Sequence, residues 1–317
     1  MGRLKLVLII AFAALAWVSG SQAQAAEAAM DTVVYYRKAR GFWHVRLRTD
    51  VSGSGMTYLG TLQDGELLYI DTKSDTRIRQ NIGLGIGPVL LNAGFSLNGK
   101  KQDGELAITT FGKYLSLYLG YSYSNSMSGS GSINQGDPLA IPAGSLFNNA
   151  LQARLFYAVN GKRFSFPAAM TQATIQEHSA GSILLSVNAM AMGALSDADS
   201  NWPLPDLNLD NFTFGLGIGY GYNLVPFERM LIHASLIASP SLLNRTRLGI
   251  GGPQESLKGS ATMSVVGNFA VVYHFEKKYY VGAFASANDI IAIGGGSSNC
   301  VFEHMKSDAH IAVGVRF

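Results

Sequence analysis

The sequence predicts an all-β protein: a transmembrane antiparallel up-and-down β-barrel of about 12–14 strands, preceded by a cleaved signal peptide. Three observations lead there. The closing stretch Ser307–Phe317 places Ala309, Ile311, Val313, Val315 and Phe317 on one parity and His310, Ala312, Gly314 and Arg316 on the other. That period of two marks a strand with one apolar face. The opening stretch has the three parts of a secretory leader. Finally, 48% of the residues are hydrophobic, yet no run of about eighteen apolar residues follows the leader, so the apolar content sits in alternation and not in helical spans.

The leader begins with the basic Gly2-Arg3-Leu4-Lys5, continues through apolar Leu6–Val18 and ends in small residues with an A-x-A at Ala23 and Ala25. Cleavage is expected near Ala25. Its apolar run of about a dozen residues is too short to span a bilayer, and no cysteine follows closely enough for a lipoprotein signal. Losing Arg3 and Lys5 takes the formal charge from +3 to +1, which leaves no strongly basic surface for nucleic acid. The expected organisation is 1–25 signal peptide, 26–42 periplasmic leader and 43–317 a single outer-membrane β-barrel, because barrels of this length run as one unit. The 36 glycines, 10% aromatic and 14% charged residues suit many short strands and turns. Cys300 has no partner for an internal disulfide and is expected in an exposed loop.

In a closed barrel the last strand pairs with the first, so no sheet edge remains, and its outer face meets lipid. Phe317 at the end of such a face resembles the C-terminal signature of bacterial outer-membrane barrels and is assigned as the assembly signal, read by the barrel-assembly machinery.

In chain order, Tyr35 and Tyr36 in the leader are expected at the periplasmic interface. Trp43–Asp50 is the first clear strand, with Trp43, Val45, Leu47 and Thr49 toward lipid and His44, Arg46, Arg48 and Asp50 toward the lumen. Glu66–Asp71 is a weaker candidate. Arg77–Gly87, Val89–Asn98, Glu105–Phe111 and Tyr114–Ser124 alternate in turn, with Pro88 at a reversal, Asn98–Gly104 as a polar turn, and Tyr121 and Tyr123 placed as an interfacial girdle. Leu151–Val159 and Ile183–Ala191 follow, separated by the turn at 160–162 and an Arg163–Phe166 run. Phe212–Tyr222 sets six apolar residues against a glycine-rich face, which in a barrel leaves room for bulky lumen groups. Its G-x-G-x-G lies inside a strand with no helix after it, so a nucleotide loop is not indicated. Met230–Ala238, Ala261–Tyr273, Tyr279–Ala285 and the last strand complete the set. Asn125–Asn148, Ala194–Asp210, Pro240–Gly259 and Asn288–Lys306 are expected to be long loops. With the C-terminus periplasmic, counting strands back puts 160–162 on the wrong side, which points either to a wrong strand assignment between Phe164 and Asp210 or to an inserted segment there.

One region breaks the alternation, Lys162–Ser182. Its K-R-F-S (Lys162, Arg163, Phe164, Ser165), A-A-x-x-Q (Ala168, Ala169, Gln172) and Q-x-x-S-A-G-S (Gln176, Ser179, Ala180, Gly181, Ser182) resemble a family of bacterial exported proteins known as a domain of unknown function and described as outer-membrane barrels. The glycine-aromatic stretches Asn81–Gly87 and Gly219–Tyr222 fall where that family has similar strands. Family members tend to carry lysines before S-A-G-S, where this chain has Glu177-His178. The resemblance implies location and fold, not a reaction.

Catalytic candidates are confined to His178, Ser179 and Ser182. Acyl hydrolases of outer membranes place His and Ser two residues apart on one strand face. Here position 180 is alanine, and His178 and Ser182 in a strand would lie about 13 Å apart at about 3.3 Å per residue. The remaining histidines, His44, His233, His274, His304 and His310, are scattered singly without metal-ligand spacing, so neither metal nor cofactor is indicated. Two functions stand: a non-enzymatic barrel in transport, assembly or envelope structure, and a barrel hydrolase acting on lipid. Outer-membrane lipid and the assembly machinery are the implied partners, with a small-molecule or lipid ligand left unnamed.

The inward positions carry Arg46, Arg48, Arg77, Arg79 and Arg154, cations that need partners away from bulk water. Asp50 and Glu177 are the expected acidic partners. The segment 172–181 is therefore expected to fold inward as a plug; the alternative is that these arginines are hydrated and line an anion-preferring channel.

Overall fold

The computed structural model describes residues 33–39, 41, 43–62, 65–74, 77–87, 89–96, 103–196, 202–257, 261–275, 278–294 and 300–317. The expected signal peptide, Pro88 and most of the turns at 98–104 and 276–278 lie outside them. Following the chain, β1 (Tyr36–Lys38) precedes β2 (Trp43–Thr61), which rises along the wall, and β3 (Leu67–Ser74) and β4 (Arg77–Ile86) descend beside its upper and lower halves. A short hairpin of β5 (Val89–Ser96) and β6 (Asp103–Phe111) leads to β7 (Leu115–Ser124), β8 (Met127–Ile133) and β9 (Leu139–Ile141). β10 (Leu146–Ala158) descends, helix α1 (Phe166–Met170) and β11 (Thr174–Gln176) follow, and β12 (Ala180–Ser196) rises again. The wall is completed by β13 (Leu207–Leu224), β14 (Met230–Ile250) with β15 (Glu255–Leu257) against its top, β16 (Ala261–Phe275), β17 (Tyr279–Gly294) and β18 (Cys300–Arg316).

Twelve strands make a closed antiparallel ring in the order β18-β17-β16-β14-β13-β12-β10-β7-β6-β5-β4-β2, and β18 pairs β2 from Cys300↔Gly60 to Arg316↔His44. At the lower rim, the Phe317 amide donates to the Trp43 carbonyl at 2.8 Å and Trp43 returns a bond to the Phe317 carbonyl at 3.3 Å. The chain enters this seam through Gly41, whose φ of +99° and contact with the Phe317 backbone leave no space for a Cβ. The predicted faces of β2 hold: Trp43, Val45, Leu47 and Val51 are exposed to lipid, and Arg46 and Asp50 are buried inside.

Several expected loops are strands. β14 runs through Pro240 to Ile250, β17 and β18 extend to Gly294 and from Cys300, and β12 and β13 reach Ser196 and Leu207. The expected loop 125–148 contains β8 and β9, and β8 pairs β3 above the short β5–β6 hairpin. The weaker candidate at 66–71 is thus real, but it belongs to this upper extension. What hid these strands is a change of parity. In β2 the apolar residues are odd-numbered up to Val51, facing lipid, and even-numbered at Met56 and Tyr58, facing inward. β12 and β18 switch the same way, from Ile183 and Leu185 to Met190 and Met192, and from Ile311 and Val313 to Phe302. Along this upper wall an inward apolar face is added, while Leu59, Leu195, Ile293, Val301 and Met305 still stand exposed on the outer face.

The result is a cap of packed apolar side chains across the upper lumen, including Met56, Leu68, Ile70, Met127, Leu146, Met192, Leu207 and Phe302. Cys300 lies in this cap, 4% exposed, and not in an exposed loop; a thiol there packs as a small apolar group. Leu68→Ala is expected to remove about 2–5 kcal/mol of stability, read as a lower urea midpoint for the lipid-reconstituted barrel. An unchanged midpoint would contradict a packed cap.

Candidate functional site

The 21-residue connection 159–179 between β10 and β12 turns into the lower lumen. It is the inserted segment, one of the two alternatives that the strand count left, and the Arg163–Phe166 run is part of it, not a wall strand. Ser165 caps α1 by accepting from the Ala168 amide at 3.3 Å, with Pro167 in the first turn, where its missing N–H costs nothing. Ala168 and Ala169 are fully buried against Leu231, Ala270, Val272, Tyr280 and Ala312 of the wall. Phe164 and Phe166 pack with Phe156, Leu184 and Ile237. Gly221 makes room for the Phe164 ring and Gly314 for Tyr280, so small inward residues of the wall accommodate what fills the lumen.

Backbone groups inside a barrel need partners that the sheet does not supply. Gln176 supplies four of them. Its Oε1 accepts from the Ser165 amide and from Asn223 Nδ2, both at 3.0 Å, and its Nε2 donates to the carbonyls of Arg163 (2.6 Å), His178 (2.9 Å) and Tyr35 (3.3 Å). Asn223 also donates to the Ser165 carbonyl at 2.9 Å and pairs through Oδ1 with His233 Nδ1 at 2.7 Å. At the far end of the plug, Arg46 Nη1 donates to the Met170 carbonyl at 3.3 Å and Arg316 Nη2 to the Gln172 carbonyl at 2.7 Å. These two cations come from β2 and β18, the strands that close the ring.

The leader reaches this lower end as well. β1 pairs β11 from Tyr36↔Gln176 to Lys38↔Thr174, and the Tyr36 hydroxyl donates to the Gly161 carbonyl at 2.6 Å. Burial, helped by nearby Tyr114, pushes the Tyr36 phenol up to about 12, so it keeps its proton at neutral pH. Tyr35 lies under the Arg163 guanidinium at 5.2 Å and meets the His178 ring edge-on. Both tyrosines are therefore parts of the plug assembly.

The motif residues hold this assembly together. Ser179 Oγ accepts from the Val225 amide at 2.9 Å. Ser182 Oγ accepts from the Asn160 amide at 2.9 Å and donates to the Ile183 carbonyl at 2.8 Å, while Asn160 Nδ2 donates to the Gly181 carbonyl at 2.9 Å. Lys162 is exposed at the turn. His178 is exposed, and among the described residues no hydrogen bond joins it to Ser179 or Ser182. Glu177 does not meet the lumen arginines. It forms a partly exposed ion pair with Arg37 at 2.7 Å, because its neighbour Gln176 takes the inward position.

Above the plug lies a belt of charge. Arg48 bridges Asp50 at 2.5 Å, and Asn81 donates to the same carboxylate at 2.5 Å. Glu105 receives Lys306 at 3.1 Å and Arg79 at 3.7 Å. Asp308 accepts from Ser286 and pairs with His310 at 3.1 Å. Glu105, Lys306, Ser286, Asp308 and His310 were not singled out for this belt, although Glu105 and Asp308 begin alternating runs on inward parity. Of the arginines that were, Arg46, Arg48, Arg79 and Arg154 face the lumen, and the side chain of Arg77 is outside the described set. His44 bonds Tyr280 at 2.7 Å, His274 contacts Arg316, and His304 is buried higher up. Among the described residues no cluster of His, Cys, Asp and Glu could hold a metal ion.

Between plug and cap is a chamber of about 200 Å³. Arg48, Arg154, Lys306 and Asp308 contribute to its polar part, and Phe156, Phe166, Met170 and Phe284 to its apolar part.

Comparison with known proteins gives a family and a set of folds. The family described as "Domain of unknown function (DUF4421)" matches residues 81–317. No curated protein matches. Among solved structures, the outer membrane protease OmpT from Escherichia coli is 9% identical, covering 87% of this chain and 96% of its own at a TM-score of 0.39. The Pseudomonas putida toluene transporter TodX is 8% identical, covering 88% and 90% at 0.33. The β domain of the Bordetella autotransporter BrkA is 11% identical, covering 87% and 100% at 0.35. These are likenesses of fold alone.

Gln176→Ala and Asn223→Ala are each expected to cost about 1–3 kcal/mol, since each leaves buried polar partners unpaired. Because the two share Ser165 and each other, the double variant should cost less than the sum in urea unfolding. Strict additivity would contradict a shared network.

Proposed function

We propose, for a chain that belongs to the DUF4421 family, that it is a non-enzymatic outer-membrane barrel which encloses a small molecule in a lumenal chamber and is closed to free diffusion. The observation that carries this reading is that the lumen is filled at two separate levels: below by α1 and its hydrogen-bonded flanks, above by the apolar cap. An open pore of twelve strands would need neither. A chamber between them carries charge on one side and aromatic rings on the other, the composition of a binding cavity.

The acyl hydrolase reading has no geometric support: the hydroxyls of Ser179 and Ser182 are engaged with backbone groups, away from His178.

Two barriers in series give a specific expectation in planar-bilayer recordings. The native barrel should show no steady conductance, and deletion of 166–174 alone should leave it closed. The same deletion combined with Leu68→Asp and Ile70→Asp should open it. Large stable conductance from the native chain would overturn the proposal, and a stable open pore from the plug deletion alone would remove the cap as a barrier.

A further inference from the structure

We propose that the chamber between plug and cap is a binding site for a small organic anion, a carboxylate on an apolar or aromatic body, with Arg154 as its counter-charge. The inference rests on the closed-barrel reading above and adds the chemistry of the occupant.

Arg48, Arg79 and Lys306 each face a carboxylate, but Arg46 and Arg154 line or approach the chamber with none among the described residues. Arg46 is engaged by Asn92 Oδ1 at 2.6 Å and by the plug carbonyl of Met170, while its buried Nε has no partner. Arg154 has only the amide oxygen of Gln152 at 3.1 Å and the face of Tyr118, 5.8 Å from the guanidinium. A guanidinium offers five donors in a planar fork suited to a carboxylate, and one amide oxygen leaves most of them unused. A cation kept away from bulk water without a counter-ion is costly. A bound anion would offset that cost.

The body of the ligand follows from what lies one step below. Along β10 the inward positions descend from Gln152 and Arg154 to Phe156, whose ring packs on Phe166 of α1 at 5.3 Å. On the adjacent strands β17 and β18, Phe284 stacks on its cross-strand neighbour His310 at 4.7 Å, and Leu90, Leu117 and Met170 also line the chamber. A fully hydrated inorganic ion would leave these surfaces wet. An amphiphile places its carboxylate on Arg154 and its body on the rings, in contact with the plug helix itself.

The test uses the full mature chain refolded in detergent, with benzoate, benzyl alcohol and inorganic phosphate as probes in titration calorimetry. Benzoate should bind saturably at one site, and benzyl alcohol and phosphate at least about tenfold more weakly, the range of a hydrogen bond to a charged group. Arg154→Gln should bring benzoate down to the level of benzyl alcohol, and Arg154→Lys, which keeps the charge without the fork, should fall between. Should Arg154→Gln not assemble, the contrast among the three probes on the native chain decides the matter. Absence of saturable benzoate binding, benzoate no tighter than benzyl alcohol, phosphate as tight as benzoate, or benzoate affinity unchanged in Arg154→Gln would each overturn the proposal. A native barrel that binds benzoate yet conducts would remove the closed-barrel reading and spare the site, and a silent barrel that ignores benzoate would do the reverse.

Discussion

A chain segment folded into the lumen of a barrel carries amide and carbonyl groups to a place where no strand ladder can pair them, and the lower half of this protein is arranged around that need. Gln176 meets it from within the segment, using both ends of one side-chain amide to join Arg163, Ser165, His178 and the leader residue Tyr35. Arg46 and Arg316 meet it from the wall, each donating to a plug carbonyl. Since these arginines stand on β2 and β18, closure of the ring at its seam and seating of the plug use the same two strands. Helix α1 has only five residues, too short to be stable on its own propensity. Its persistence derives from its cap, its proline and its burial.

A second constraint acts at the upper end. In their upper stretches the strands add apolar residues to the inner face, while Leu59, Leu195 and Val301 stay exposed outside. Along β2 the inward apolar positions Met56 and Tyr58 appear without a bulge, since the β2–β18 register is continuous. The cap is thus the core of a small sheet structure seated on a membrane barrel. Polar inward positions such as Asp50, Glu105 and Asp308 mark the zone between.

These two constraints also explain how far the sequence could be read. Alternation against lipid is a strong local signal, so the faces of Trp43–Asp50, Phe212–Tyr222 and Ser307–Phe317 were legible, and so was the inward direction of Arg46, Arg48, Arg79 and Arg154. The parity switch was present in Met56 and Tyr58, in Met190 and Met192, and in Phe302, but a reading that asks only for outward apolar faces takes these stretches for loops. The plug was visible as the place where alternation fails. Its partners were not, because Gln176 with Asn223, and Arg316 with Gln172, are joined across 47 and 144 positions of sequence. Charge alone pointed to Glu177 as the acidic partner. Side-chain direction on the short strand β11 gives the inward place to Gln176 and sends Glu177 out to Arg37.

The central claim is that residues 164–176 are as much a part of the folded interior as the wall. Amide hydrogen exchange on the reconstituted barrel measures this directly, because protection reports the free energy of local opening. The amides of Ser165, Ala168 and Thr171, each bonded to Gln176, Ser165 or Pro167, should exchange on the slow timescale of wall strands such as β12 and β13. Exchange of these amides as fast as that of exposed loop residues would contradict the account.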